Sequence, residues 1–400
     1  MSFKKLLLQD DVKKPNIKLK NGNTIITLSH NRRVFNADLL EDLRKEINYI
    51  YENQNELISN RNSTVRIILD TAYFKDRTVI LMLELLIYCL CLEGDFNIYF
   101  NLRIKDKKSI AYNFYCFSFL RGINRELITN HIYCSMYESF HGRIYGKDEP
   151  IGENLRKIID TSKYNDDDVK QQIHMQQSLS NNILLTLGLV INNEDILDDA
   201  CEIVDELVDN VLSHTTGFGL VDVAAVKVFS TEDDDNYIHI MINVLNISNN
   251  FLFTKIKDAY IKNTDDFKLR SHIKDYYEAQ CEFFEDPVYS ENKFFMVSAF
   301  QRGVSTRNAN ILGGTGLNKS IINFSKMSQK DLPEDQSYVY SNTDILMFNK
   351  EILSSDLIGE NIAFNYENDF SKKPDVKCLA NSTFNLNGTA YNLMYVVKEE

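Results

Sequence analysis

The chain has no tryptophan, and its 400 residues hold only 5 prolines, 15 glycines and fewer basic than acidic side chains, 44 against 57. So little proline and glycine excludes fibrous and linker-rich proteins. The shortage of cations, a net charge of −13, argues against gripping nucleic-acid phosphates over a broad face, and nucleic acid is not an expected partner. The 7 cysteines are odd in number and form no C-x-x-C pair. Neither a disulfide framework nor a thiolate zinc site is expected, and reduced thiols suit a cytoplasmic setting. Long apolar runs are missing too. The longest, residues 79–92, is interrupted by Glu84 and is shorter than the ~20 residues a spanning helix needs. It reads as a buried helix, and no membrane association is expected. The opening MSFKKLLLQDDVKK has too short an apolar run for a signal peptide.

What is present is core material: 44% hydrophobic residues, with 24 Phe and 21 Tyr, enough for two or three domains. Residues 24–29 (TIITLS), 65–69 (VRIIL) and 96–102 (FNIYFNL) read as strands. Helical patterns at 36–53 and 77–92 separate them, an alternation that produces an α/β layer. Two more helices are expected near 109–120 and 125–140. Residues 145–168, with Gly146, Pro150, Gly152 and the Asp166–Asp168 run, read as the domain boundary. The expected division is therefore a domain over 1–148, a linker over 149–168 and a second domain over 169–400. In that second domain, helices at 169–189 and 194–213 precede strands at 220–229, 238–245, 337–348 and 391–397. A helical insertion at about 251–300 interrupts them, which predicts an α+β layer. The helix at 169–189 leaves pairing of two chains as a homodimer open.

Two segments carry candidate chemistry. In residues 199–219, DACEIVDELVDNVLSHTTGFG, Glu206, Asn210 and His214 fall at i, i+4 and i+8 on one helix face. Ile203, Leu207 and Val211 form the adjoining apolar stripe. Alone, that polar line is more often simply a solvated helix face. In residues 300–320, FQRGVSTRNANILGGTGLNKS, glycines 313, 314 and 316 surround Thr315 ahead of a helix start. Backbone N–H groups there can approach phosphate oxygens, with the helix dipole favouring negative charge. Arg302 and Arg307 lie just before, in a segment composed like a mobile flap.

Taken in order, these segments resemble the ATP-binding domain of the GHKL superfamily, which contains the gyrase B, Hsp90, histidine kinase and MutL ATPases. The resemblance covers about residues 170–400 and implies a Bergerat fold, a helical layer on a mixed, mainly antiparallel sheet. ELVDNVLSH looks like that family's E-x-x-x-N box, RGVSTR and GGTGL like its lid and second glycine box, and Asn387-Gly388-Thr389 like its last short motif. The roles implied are Glu206 as the base that orients the attacking water, Asn210 as the ligand of Mg²⁺ and His214 as a basic residue near the nucleotide. His214 has a second reading, as a cap on its own helix ahead of Gly217. Gly314, Thr315, Gly316, Leu317 and Thr389 would hold the phosphates, with Arg302 and Arg307 in the lid and Arg307 toward the γ-phosphate. The first glycine box departs from the pattern: Asn246 stands where the family places an adenine-binding Asp, with Ser248 and Asn250 in the glycine positions. A neutral amide is a weaker acceptor than a carboxylate.

The first half, ILDTAYFKDRTVILMLELLIYCL followed by FNIYFNL, is similar to the STAS domain of anti-sigma factor antagonists. At the phosphoacceptor turn this chain has Asp76-Arg77-Thr78-Val79, with Thr78 the nearest hydroxyl. Together the resemblances imply an intracellular ATP- and Mg²⁺-binding regulator acting on a protein partner. It would turn over by slow hydrolysis or by serine/threonine phosphorylation, or it would be an inactive nucleotide-binding interaction module.

Overall fold

Alternation in the sequence becomes strand wherever a neighbouring strand can pair with it. The computed structural model describes residues 11–20, 23–57, 63–74, 77–94, 97–104, 132–134, 152–161, 169–214, 217–230, 235–261, 270–302, 304, 316–327, 337–353 and 361–399. The chain divides into two units near residue 150. In the first, β1 (Asn16–Lys20), β2 (Asn23–Phe35), β3 (Thr64–Phe74), β4 (Asn97–Ile104) and β5 (Ile132–Cys134) make one mixed sheet in the order β1-β2-β3-β4-β5. β1 runs antiparallel to β2, and the remaining neighbours are parallel. Helix α1 (Ala37–Glu52) starts at Asn36, whose side-chain oxygen accepts from Leu39 N at 3.3 Å, the usual satisfaction of a helix's first free N–H groups. It buries Leu39, Leu43, Ile47 and Ile50 along one stripe. Helix α2 (Arg77–Gly94) is buried continuously from Arg77 to Ile87, as expected of a helix that is apolar almost all round. Glu84, the break in that apolar run, is wholly buried and pairs with Arg156, a residue that groups with the first unit. The ion pair removes the need to expose either charge.

Two expectations are corrected here, and one strand went unexpected. Within the helix expected over 125–140, residues 132–134 form β5 instead: Ile132, Tyr133 and Cys134 align with Ile98, Tyr99 and Phe100 of β4, and parallel pairing overrides local helical spacing there; the rest of that stretch lies outside the described residues. The linker expected over 149–168 contains β6 (Gly152–Asp160), an edge strand of the second sheet. Its polar composition disguised it, but Asn154 Nδ2 donates to Asp222 Oδ1 at 2.9 Å and to Val223 O at 3.2 Å, so the neighbouring strand takes up the amide nitrogen. β1 had no apolar pattern to announce it, being a mostly exposed edge strand whose lysines suit an edge. Residues 109–120 lie outside the described residues. Thr78 is only 3% exposed, so its hydroxyl is not presented at the surface.

The second unit holds α3 (Val169–Gly188), α4 (Glu194–His214), β7 (Phe218–Ser230), β8 (Asp235–Ile247), α5 (Thr254–Ile261), α6 (Arg270–Gln280), α7 (Glu291–Ala299), α8 (Gly316–Met327), β9 (Tyr338–Met347) and β10 (Leu379–Lys398). The strands form an antiparallel sheet in the order β6-β7-β8-β10-β9. Side chains alternate between the faces of a sheet, and one face here is apolar row upon row. Val221, Val244, Tyr391 and Val339 align across four strands, followed by Val223, Ile242 and Leu393, and all belong to one buried core. Ile203, Leu207 and Val211 of α4, Leu179 and Ile183 of α3 and Ile321 of α8 complete that core. α4 is started by Asn193, whose side-chain oxygen accepts from Ile196 N at 3.2 Å. The insertion α5–α7 is held by aromatic packing. Tyr277 lies 5.3 Å from Phe284 and 5.5 Å from Phe294, ring centre to ring centre, a packing cluster rather than a ligand box. No described helix is long and apolar enough to cross a membrane.

Burial, reinforced by the Lys350 cation, lowers the pKa of His239 on β8 to about 4. Its ordinary value is near 6.5, so the unfolded chain takes up this proton first as pH falls. The neutral His239 therefore contributes nothing pH-dependent above about 6.5, and stability is lost between about 6.5 and 4, by roughly 2–3 kcal/mol at the lower limit. Urea unfolding at stepped pH is expected to show a flatter profile over that window for His239→Gln than for wild type.

Candidate functional site

The apolar rows end in a polar one. Gly219 of β7, Asn246 of β8, Thr389 of β10 and Ser341 of β9 align in register, two residues beyond Val221, Val244, Tyr391 and Val339 and therefore on the same face. Asn246 is 9% exposed, Thr389 4% and Ser341 0%. Ser341 Oγ donates to Gly388 O at 2.8 Å and meets Thr389 Oγ1 at 3.1 Å. With its own proton on Gly388, Ser341 accepts from Thr389. Leu252 N, entering the insertion, donates to both hydroxyls at 3.1 Å. Thr389 and Ser341 thus saturate each other. Asn246 stands outside the network, and its Oδ1 is buried with no hydrogen-bond partner. An acceptor left in that state costs about 1–3 kcal/mol.

Two glycines let the backbone close around this row. A Cβ on Gly219 would overlap the Val211 side chain of α4, so the missing side chain is what lets the helix lie directly over the row's end. Gly388 has φ +134°, and a Cβ there would overlap the carbonyl of Asn246. The turn after β8 uses Ser248 where a glycine was expected. Its N–H donates to Asn387 O at 3.0 Å, and its hydroxyl accepts from Asn250 N at 3.2 Å.

On α4, Glu206 and Asn210 stand one turn apart, and Asn210 Nδ2 donates to Glu206 Oε1 at 3.5 Å. That bond turns the amide nitrogen toward the carboxylate and leaves the amide oxygen for other work. Tyr391, one row in from Thr389, is raised far above the ordinary phenol pKa by burial and then by the Glu206 charge, which places Glu206 near the sheet at that row. Helix α8 lies antiparallel beside α4. Lys319 pairs with Glu202, and Asn323 Nδ2 donates to Glu202 Oε2 at 3.1 Å and to Asp199 Oδ1 at 3.3 Å. One turn back along α8 therefore comes level with one turn forward along α4, which brings Gly316, the first residue of α8, to the height of Glu206. Leu317 lines a small apolar gap with Leu207, Phe324 and Tyr391.

Among the sequence-expected residues, then, Glu206, Asn210, Asn246, Thr389 and Gly316 are gathered around one end of the α4–sheet layer. Arg302 is exposed just beyond α7. His214 ends α4, and its side chain lies outside the description, as do Arg307, Gly314 and Thr315. Ser341, Gly219 and Tyr391 were missed as site residues. Nearby, the Cys201 thiol is pushed up to about 11 by burial and by Asp205 and Asp198, so it is an inert packing thiol.

No cluster of three or more His, Cys, Asp or Glu able to hold a metal occurs among the described residues. The oxygen donors at hand, Asn210 and Glu206, fit a hard cation that takes its other ligands from phosphate and water, which is how Mg²⁺ is ordinarily held. No family model, curated protein or solved structure matches the chain.

Proposed function

We propose that the second unit is an ATP-binding module of the GHKL type, a Bergerat-fold sandwich joined to an STAS-like first unit, in an intracellular regulator that acts through a protein partner. The observation that carries this reading is the buried, unpartnered acceptor of Asn246, in a polar row covered by the helix that bears Glu206 and Asn210. A donor from a purine amino group would satisfy that acceptor and recover its desolvation cost. Asn210 would hold Mg²⁺ through its amide oxygen, the metal neutralising phosphate charge. Glu206 would orient the attacking water or, in phosphotransfer, a serine or threonine hydroxyl of the partner. The glycines before α8 would present backbone N–H groups to the phosphates. Nucleotide binding would change the partner contact. Ile173, Leu184 and Leu185, exposed on α3, mark where a second copy would dock in a homodimer.

The test is thermal and calorimetric. ATP with Mg²⁺ at a hundredfold excess over its dissociation constant is expected to stabilise the folded chain by about 2.7 kcal/mol, and EDTA is expected to remove most of the affinity. Asn210→Ala is expected to abolish the difference between Mg²⁺ and EDTA, at a cost of roughly tenfold in affinity, the scale of one lost metal contact. No shift with ATP under either condition would remove the nucleotide reading altogether.

A further inference from the structure

The Asn246 amide points to a base preference that differs from strict adenine selection, an inference that rests on the nucleotide reading above. Thr389, Ser341, Gly388 and Leu252 bond among themselves and leave Asn246 out, and its Oδ1 has no partner. Nothing in the row therefore fixes which way the amide turns. A terminal amide torsion is broad and two-fold, so a half-turn exchanges donor and acceptor at no cost in shape. With oxygen forward, the amide accepts from the amino group of adenine and donates to an adjacent ring nitrogen. With nitrogen forward, it donates to the carbonyl of guanine and accepts from the neighbouring ring N–H. A carboxylate in the same place only accepts, and it would meet the guanine carbonyl as a second acceptor.

We propose that Asn246 reads the purine edge in either sense, so that this site takes guanine as well as adenine nucleoside triphosphates. Calorimetric titration of the full chain with ATP, GTP and CTP in Mg²⁺ tests it, alongside Asn246→Asp and Asn246→Leu. ATP and GTP are expected to bind wild type within about tenfold of each other, and CTP more weakly than both. Asn246→Asp is expected to move the ATP:GTP ratio at least tenfold from its wild-type value, and Asn246→Leu to weaken both purines alike. A wild-type preference for ATP above about a hundredfold, on the way to the roughly 10⁴–10⁵ that a site of fixed polarity can reach, overturns the inference and leaves the nucleotide reading standing. So does a ratio unchanged in Asn246→Asp, or CTP binding as tightly as the purines. Failure of all three nucleotides to bind removes the nucleotide reading itself.

Discussion

Glu206→Ala is expected to bind ATP within a few-fold of wild type while releasing phosphate about 10²–10⁴-fold more slowly, the range associated with a positioned general base. The geometry separates the two effects. Base contact is assigned to Asn246 on β8, whereas Glu206 projects from α4 toward Asn210 and Tyr391. Shortening Glu206 removes a carboxylate from a half-buried surface without opening the core, since its neighbours Leu207 and Ile203 carry the packing. Binding by calorimetry and single-turnover phosphate release, run on the same preparation, read the two quantities independently. If wild type binds ATP but releases no phosphate, alone or with a hydroxyl-bearing partner, the chain is a nucleotide-dependent interaction module, and Glu206 has only a structural part. If the mutation abolishes binding and release together, the carboxylate is part of the binding surface, and the division of labour proposed here is wrong.

The α4 half of this site could be read from sequence because a helix face is a local property. Residues at i and i+4 must stack, and the apolar stripe of Ile203, Leu207 and Val211 shows which side is buried. The sheet half could not be read in the same way. That Asn246, Thr389, Ser341 and Gly219 share one row depends on the register of four strands, three of them far apart in sequence, and register is set by tertiary pairing. Ser341 in particular sits in a strand whose sequence, YVYSNTDILM, contains nothing that singles the serine out until its partner at Thr389 is known. β6 was misread for a related reason. Polar residues in a strand look like loop until the groups that bond them, here Asp222 for the Asn154 amide nitrogen, are in view. The alternation of the first unit was legible because its strands and helices succeed one another along the chain, and only the short β5 lost its identity to helical spacing.

Gly388→Ala is expected to destabilise the second unit by about 3 kcal/mol or more and to abolish nucleotide-induced stabilisation in whatever fraction still folds. Two penalties combine at this position. Its φ of +134° lies where a side chain is strained, a cost on the order of 1–3 kcal/mol. In addition, the new Cβ would occupy the space of the Asn246 carbonyl, with Ser248 N close behind. Backbone cannot rotate out of the way as a side chain can, so β8 and β10 must separate at this point. Separation breaks the pairing of Gly388 with Ile247 and of Thr389 with Asn246, pulls Gly388 O from Ser341 Oγ and turns the Asn246 amide out of the row. A mutation that was merely strained would lower the melting temperature and leave the ATP-induced shift intact. One that acts through the row would lower both, and Asn387→Ala, which keeps Gly388 and the carbonyl that accepts from Ser248 N, serves as the control expected to retain the shift. An ATP response undiminished in folded Gly388→Ala would mean that the nucleotide is not recognised at this end of the sheet.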